Sequence, residues 1–312
     1  MPVFARKLGR ALSPQAKEHL SGLQSYPSLD TWMNPLTRGI ARHYANETWR
    51  KSHDEIDFKF RMYEETYAAV PCVHYETERS KRSNRFIFYV HGGGFVAGSP
   101  KVNATTVLPI CELTGLEGVG VDYTLLPEGR FPVPVDEVDA VYKALKAKNP
   151  DSEIIIVGDS AGGTLVLANL LRWRDENTPM PHAAILLSPV VDGVGASDTY
   201  ITIDGHDPLI RSNRGRLAKR LFEFYAPGQN LKNPMVSPIY GAFDGLPPLL
   251  VHVGSREVLL GDAARLAEAA RLAGVDITLR VFDGMFHLFH MHWSLAEART
   301  AHRDIADFIG AL

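Results

Sequence analysis

The sequence has few cysteines, little net charge and no long apolar run. Its 312 residues include only Cys72 and Cys111, which are too few for a disulfide framework and lack the spacing of a metal site. The net charge of −3 provides no basic surface for nucleic acid or an anionic membrane. No stretch approaches the ~20 apolar residues of a membrane span, and residues 1–20 lack the apolar core of a signal peptide. We therefore expect a cytoplasmic protein that contacts neither nucleic acid nor membrane.

From residue 57 onward, short apolar segments typical of buried strands alternate with helical segments. Hydrophobic residues make up 45 % of the chain, which is enough for a large core. The predicted strands are Asp57–Glu64, Val70–Thr77, Phe86–Val90, Gly118–Tyr123, Glu153–Val157, Ala183–Ser188, Leu249–Val253 and Ile277–Phe282. The predicted helices cover residues 102–114, 134–148, 161–174, 262–273 and 294–310. This alternation predicts an α/β fold with a mostly parallel sheet, helices on both faces, and functional loops at the carboxyl ends of the strands.

Two segments fall outside this alternation. Residues 1–50 precede the first strand, and residues 190–246 separate two strands and include the amphipathic piece Arg216–Tyr225. A connection this long inside a compact domain is commonly a lid, with packing decoration as the alternative for both segments. Four aromatic residues in these segments could line a substrate pocket or form a small core of their own: Trp32, Phe222, Phe224 and Tyr225.

The most informative motif is Gly-Asp-Ser-Ala-Gly-Gly at residues 158–163. It follows the apolar run Glu153–Val157 and precedes a helical stretch, so Ser160 stands at a tight strand-to-helix turn. The pattern Gly-x-Ser-x-Gly in this context is typical of a nucleophile elbow, where flanking glycines avoid collisions with the neighbouring strand and helix. An ordinary turn of a sheet protein is the alternative. The motif predicts attack of a serine oxygen on a carbonyl.

A serine hydroxyl needs a base, and His287 is the favoured candidate. It follows the last predicted strand, behind the turn Asp283–Gly284. His290 and His292 lie further into the following segment and are rivals. His252 lies inside a predicted strand, where a buried, hydrogen-bonded core histidine is expected.

The acid that orients the histidine should follow the strand Leu249–Val253. Glu257 has that place, and a glutamate can hold the imidazole if the backbone allows for one extra methylene. Asp262, five residues later, is the competitor, but its position before Ala263 predicts a helix N-cap. Asp283 is too close to His287 in the chain to serve from a separate loop.

A glycine-rich loop supplies candidate donors for an oxyanion. His91-Gly92-Gly93-Gly94-Phe95 follows the strand Phe86–Val90 directly, and consecutive glycines leave backbone N–H groups unobstructed. The N–H of Ala161, after the serine, is a further donor. A phosphate-binding loop is excluded because no Lys-Ser/Thr follows and the spacing does not match a dinucleotide fingerprint.

With these motifs in the order given, the chain resembles the hormone-sensitive-lipase-like esterases of the α/β-hydrolase superfamily. The resemblance runs from about Phe86 to the C-terminus. Besides the two glycine motifs, it covers Asp122–Glu128, Ser237–Tyr240, Gly245–Pro248 and Gly284–Phe289. The family usually has aspartate at the position of Glu257.

The resemblance implies a carboxylic ester hydrolase of small to medium acyl esters that forms an acyl-enzyme and uses no metal or organic cofactor. Ser160 is then the nucleophile and His287 the base and later the acid, while the N–H groups of Gly93, Gly94 and Ala161 hold the oxyanion. It also implies a catalytic domain over residues 51–312, capped by residues 1–50 and an insertion at about 190–230, and often a homodimer. An amidase or lactonase with the same residues, or a non-catalytic small-molecule receptor, are the alternatives. Asp159 and His91 are expected to brace the two loops.

Overall fold

The computed structural model describes residues 12–23 and 25–312. Residues 1–11 and 24 lie outside the described part. They belong to the predicted cap segment, residues 1–50, and residues 1–11 also belong to the stretch 1–20, for which no signal peptide is predicted. None of the described helices is long and apolar enough to cross a membrane.

The predicted parallel sheet is confirmed, and it has eight strands. In chain order they are β1 (Phe60–Tyr67), β2 (Val70–Thr77), β3 (Arg85–Val90), β4 (Gly118–Val121), β5 (Glu153–Asp159), β6 (Ala183–Leu187), β7 (Leu249–Gly254) and β8 (Ile277–Phe282). Their order across the sheet is β1-β2-β4-β3-β5-β6-β7-β8. Strand β2 runs in the direction opposite to the other seven strands. The strands β3 to β8 are therefore parallel, and their carboxyl ends meet at one edge.

Ten α-helices accompany the sheet in the part of the chain that the structure describes. They are α1 (Pro14–Gly22), α2 (Leu29–Met33), α3 (Arg38–Arg50), α4 (Leu108–Thr114), α5 (Val133–Lys148), α6 (Ala161–Asp175), α7 (Thr199–Thr202), α8 (Arg216–Tyr225), α9 (Leu260–Leu272) and α10 (Ala296–Gly310). Helices α5, α6 and α9 cover one face of the sheet, and α4 and α10 cover the other.

Strand β5 shows why its sequence is apolar throughout. Ile154 and Ile156 pack into the core on the α5 and α6 side, whereas Ile155 and Val157 pack into the core on the α4 and α10 side. All four side chains are almost completely buried. A strand covered on both faces needs apolar residues at successive positions, and this is the pattern that predicts it.

Several predicted boundaries are wrong, three of them for reasons visible in the structure. The first strand begins at Phe60 rather than Asp57, because a 3₁₀ turn over Lys51–Glu55 leads into the strand. The helix predicted over 102–114 is divided into the 3₁₀ turn Ala104–Thr106 and α4, since Pro109 lacks the N–H that would continue one helix and fits only a first turn. Helix α9 begins at Leu260, so Asp262 lies inside its first turn and does not cap it.

The two segments outside the alternation pack against each other. Helix α2 contacts α8, which has the bounds predicted for the amphipathic piece. Asp30 on α2 forms an ion pair with Arg220 on α8, and the N–H of Tyr26 donates to the carbonyl of Leu209 at 3.0 Å. Residues of both segments line a cavity that also contains Ser160, at the carboxyl edge of the sheet.

The turn between β5 and α6 depends on close packing against β3. A Cβ on Gly162 would overlap the carbonyl oxygen of Val90, and one on Gly158 would collide with the side chain of Val166. The glycines are therefore required sterically, as predicted from the motif.

We expect Gly162→Ala to lower the free energy of unfolding by about 1–3 kcal/mol, because the added methyl group overpacks a rigid backbone contact. Gly310→Ala is the matched control, since Gly310 is also helical and its Cβ would meet nothing within 4 Å. The control should be neutral or stabilising by up to about 1 kcal/mol. Urea unfolding of both variants checks the difference, and equal effects would contradict it.

Candidate active site

Ser160 lies at the sharp turn between β5 and α6. Its φ of +51° is in the left-handed region, which a residue with a side chain occupies only when the surroundings hold it there. The surroundings here are the backbone bond from Ser160 N–H to the carbonyl of Leu187 at 2.9 Å and the glycine contacts of the turn. The side chain reaches the cavity at the carboxyl edge of the sheet.

His287 links Ser160 to Glu257. Its Nε2 lies 3.1 Å from Ser160 Oγ, and its Nδ1 lies 2.9 Å from Glu257 Oε2. An ionised carboxylate only accepts hydrogen bonds, so Nδ1–H donates to Glu257 and Nε2 of the neutral ring accepts from Ser160. The network therefore selects the tautomer in which a histidine can take a proton from the serine.

The charges around His287 favour its protonated form. Burial by itself lowers the pKa of His287, but the hydrogen bond and charge of Glu257, with the charges of Asp207 and Asp159, raise it by more, so the net direction is upward. The ring is almost completely buried. An imidazolium formed at this position is stabilised by carboxylates on several sides.

Glu257 is held on both carboxylate oxygens. Oε2 contacts His287, while Oε1 accepts from the N–H of Gly254 at 2.5 Å and from Ser188 Oγ at 2.7 Å. The side chain is buried. The extra methylene of a glutamate is thus accommodated, because the carboxylate is anchored at the ends of β6 and β7.

The glycine loop after β3 presents free N–H groups beside Ser160. Gly92 N–H donates to Asp159 Oδ1 at 3.0 Å, whereas the N–H groups of Gly93, Gly94 and Ala161 have no acceptor within the described part of the chain. Gly93 has a φ of +116°, and a Cβ there would overlap the carbonyl of Ala97. The loop can adopt this path only with glycine.

Asp159 and His91 hold this loop in place. Asp159 Oδ1 accepts from Tyr89 OH at 2.6 Å as well as from Gly92, and burial raises the pKa of Asp159 to about 6 although both bonds lower it. The His91 ring stacks on Tyr123 with centroids 4.3 Å apart, and its Nδ1 is 2.7 Å from the carbonyl of Gly92. These are the bracing contacts that we expected.

The cavity above Ser160 has a volume of about 140 Å³ and walls that are mostly apolar. Its outer wall includes Trp32, Leu217 and Leu221 from the two extra segments. The other predicted aromatics do not line it. Phe222 and Tyr225 pack around Phe95, and the ring centroids of Tyr225 and Phe95 are 4.2 Å apart in a stacked arrangement. Phe224 packs against the same core.

Comparison with known proteins agrees with this fold. The family model described as the alpha/beta hydrolase fold matches residues 87–291. An esterase of Acinetobacter venetianus is 35% identical over 242 residues, which cover 76% of this chain and 78% of that protein. The structure of an esterase from the bacterial hormone-sensitive lipase family covers 96% of this chain and 98% of its own, with 30% identity and a TM-score of 0.83. The chain belongs to the hormone-sensitive-lipase-like esterases of the α/β-hydrolase family.

The esterase is a carboxylesterase-type hydrolase. An acetyl-hydrolase of Streptomyces hygroscopicus is 34% identical over 224 residues, which cover 71% of this chain and 74% of that protein. The structure of EstE5 soaked in ethyl alcohol covers 96% of this chain and 98% of its own, with 29% identity and a TM-score of 0.85.

Asp262 of the esterase does not contact His287. One of its oxygens accepts from the N–H groups of Val191 and Asp192 at 3.0 and 3.2 Å, and the other from Ser197 Oγ at 2.5 Å. Burial raises the pKa of Asp262 to about 6. Its role in the structure is to anchor the start of the segment between β6 and β7, which neither the N-cap prediction nor the competing acid assignment anticipated.

The three other candidate histidines, His252, His290 and His292, have partners other than Ser160. His252 is buried, with Nε2 2.9 Å from Asp304 Oδ2, so its prediction as a hydrogen-bonded core histidine is confirmed. His290 Nε2 is 3.4 Å from His252 Nδ1, and His292 Nδ1 is 3.3 Å from Glu55 Oε1. Among residues 12–23 and 25–312, no group of three or more His, Cys, Asp or Glu side chains is arranged to hold a metal ion.

Sequence reasoning missed two residues of this site. Ser188 binds Glu257, and Asp207 binds the backbone of His287. Ser188 could have been proposed from the sequence, because it is a polar residue directly after β6 and therefore lies at the carboxyl edge of the sheet. Asp207 lies in an irregular segment without periodicity, so no local pattern pointed to it.

Proposed function

We propose that the esterase hydrolyses small to medium acyl esters through a Ser160–His287–Glu257 triad and an acyl-enzyme. The observation that carries the proposal is the continuous series of hydrogen bonds from Ser160 Oγ through His287 to Glu257, with one imidazole nitrogen facing each partner. This is the geometry in which a base activates a serine and an acid orients the base.

In the first step, Ser160 Oγ bonds to the ester carbonyl carbon while its proton passes to His287 Nε2. The negative oxygen of the tetrahedral intermediate is held by the N–H groups of Gly93, Gly94 and Ala161. The bond to the alcohol oxygen then breaks, and His287 gives that oxygen the proton. Water repeats the sequence on the acyl-enzyme and releases the acid and free Ser160.

We propose further that the described parts of residues 1–50 and the insertion at about 190–230 form a cap on a catalytic domain of residues 51–312. The mutual packing of α2 and α8 supports this division, as does their contribution to the cavity. Assembly as a homodimer and a cytoplasmic location stay predictions.

We expect the esterase to prefer p-nitrophenyl esters of short acids to the laurate. A cavity of about 150 Å³ holds a benzene ring, so the observed cavity of about 140 Å³ suits acyl chains of up to about six carbons. Ser160→Ala should lose at least about 10³-fold in kcat/KM. Rates from acetate to laurate for both proteins check this, and p-nitroanilides test for amide cleavage. An active Ser160→Ala would overturn the triad.

A second comparison separates the two candidate acids. Glu257→Gln should lower kcat/KM by about 10²- to 10⁴-fold, because the imidazole loses its orienting charge. Asp262→Asn should keep most activity but lower the free energy of unfolding by about 1–3 kcal/mol, since a buried donor loses its acceptor. Steady-state rates and urea unfolding measure both effects, and the reverse pattern would assign the acid to Asp262.

The kcat/KM of ester hydrolysis should fall as the pH is lowered, with an apparent pKa above 6.5, the ordinary value for histidine. His287 must be neutral to accept the serine proton, and its pKa is raised in the folded protein, so the protonated, inactive form persists to higher pH than for a free histidine. The dependence of kcat/KM on pH checks this sign. An acid limb centred at or below 6.5 would disagree with it.

A further inference from the structure

Asp207 is a buried acidic residue of the insertion whose two oxygens serve different parts of the fold. Oδ1 accepts from the N–H groups of Leu209 and Ile210 at 2.8 and 3.3 Å, within the insertion. Oδ2 accepts from the backbone N–H of His287 at 2.8 Å. The side chain is fully buried, so this carboxylate bridges two loops where solvent cannot replace it.

Both insertion residues that donate to Asp207 line a cavity. Ile210 lines the cavity that contains Ser160, and Leu209 lines a second cavity of about 240 Å³, while His287 lines both. The carbonyl of Leu209 also accepts from Tyr26, which borders both cavities. One carboxylate therefore connects both extra segments to the turn that carries His287.

We propose that Asp207 is a positioning residue for ester hydrolysis, which couples the packing of the insertion to the placement of the His287 imidazole. This inference rests on the proposed function, in which His287 is the general base. Asp207 touches neither substrate nor the reacting atoms. It acts through the backbone of His287 and through its charge.

The charge of Asp207 adds to that of its neighbours. His287 is faced by Glu257 from the loop after β7, by Asp159 from the end of β5 and by Asp207 from the insertion, while His290 lies behind it on the following turn. Burial raises the pKa of Asp207 to about 6, with the charge of His287 opposing that rise. Asp207 is therefore ionised above that pH and favours the imidazolium that forms when Ser160 is deprotonated.

The test is Asp207→Asn in the full-length enzyme, with p-nitrophenyl butyrate as substrate. Asparagine has one oxygen, so its NH₂ group must face either the N–H of His287 or those of Leu209 and Ile210, and the charge is lost as well. Asp204→Asn is the matched control. Asp204 lies in the same insertion and accepts from the N–H groups of Ser212 and Arg214 at 2.8 and 3.2 Å, with no bond to the loop of His287.

We expect Asp207→Asn to lower kcat by about 10- to 100-fold with little change in KM, because a displaced base slows the chemical step more than binding. The acid limb of the pH–rate profile of Asp207→Asn should move to lower pH, since His287 loses a neighbouring negative charge. Asp204→Asn should keep both the wild-type kcat and the wild-type acid limb. If Asp207→Asn does not fold by circular dichroism, Asp207→Ser, which keeps an oxygen acceptor without the charge, is measured in the same way.

The outcomes separate this inference from the proposed function. If Ser160→Ala is inactive and Asp207→Asn matches Asp204→Asn, the inference is overturned and the triad stands. A loss through KM alone, with an unmoved acid limb, would also overturn it and make Asp207 a residue of the cavity wall. If Ser160→Ala retains activity, the proposed function fails, and the role of Asp207 fails with it.

Discussion

The contact between helix α6 and strand β3 is the constraint on which the arrangement of the site depends. Gly162 lies against the carbonyl of Val90 with no room for a Cβ, so the first turn of the helix and the end of the strand approach as closely as backbones can. That approach brings Ser160, at the start of α6, next to the glycine loop that follows β3. The bond from Gly92 to Asp159 then joins the two loops directly. Ser160 and the candidate oxyanion donors are thus brought together by this packing contact and this hydrogen bond.

The remaining groups are arranged around one buried histidine. His287 donates through its ring to Glu257 and through its backbone to Asp207, and Asp159 lies near it at the end of β5. Isolated carboxylates would be costly to bury. Here hydrogen bonds offset that cost. Glu257 accepts from the N–H of Gly254 and the hydroxyl of Ser188. Asp159 and Asp207 each accept from backbone N–H groups. Three acidic side chains therefore lie around one imidazole, and their charges favour its protonated form.

The two extra segments combine an apolar inner surface with polar anchors. Trp32, Leu217 and Leu221 line the cavity, whereas backbone N–H groups of the insertion donate to Asp207 and to Asp262 of α9. Ile210 links the two sets, since it lines the cavity and donates its N–H to Asp207.

The sequence by itself determined the sheet, the elbow and the histidine loop, because each is recorded in neighbouring residues. Runs such as Ile154–Val157 encode burial on both faces, and the glycines around Ser160 encode a turn that no other residue fits. The sequence favoured Glu257 over Asp262, but only the tertiary structure showed that Glu257 contacts His287 and that Asp262 instead accepts from the N–H of Val191. It alone also showed Asp207 at His287 and turned Phe222 and Tyr225 away from the cavity. Those outcomes depend on contacts between segments far apart in the chain, which local pattern does not contain.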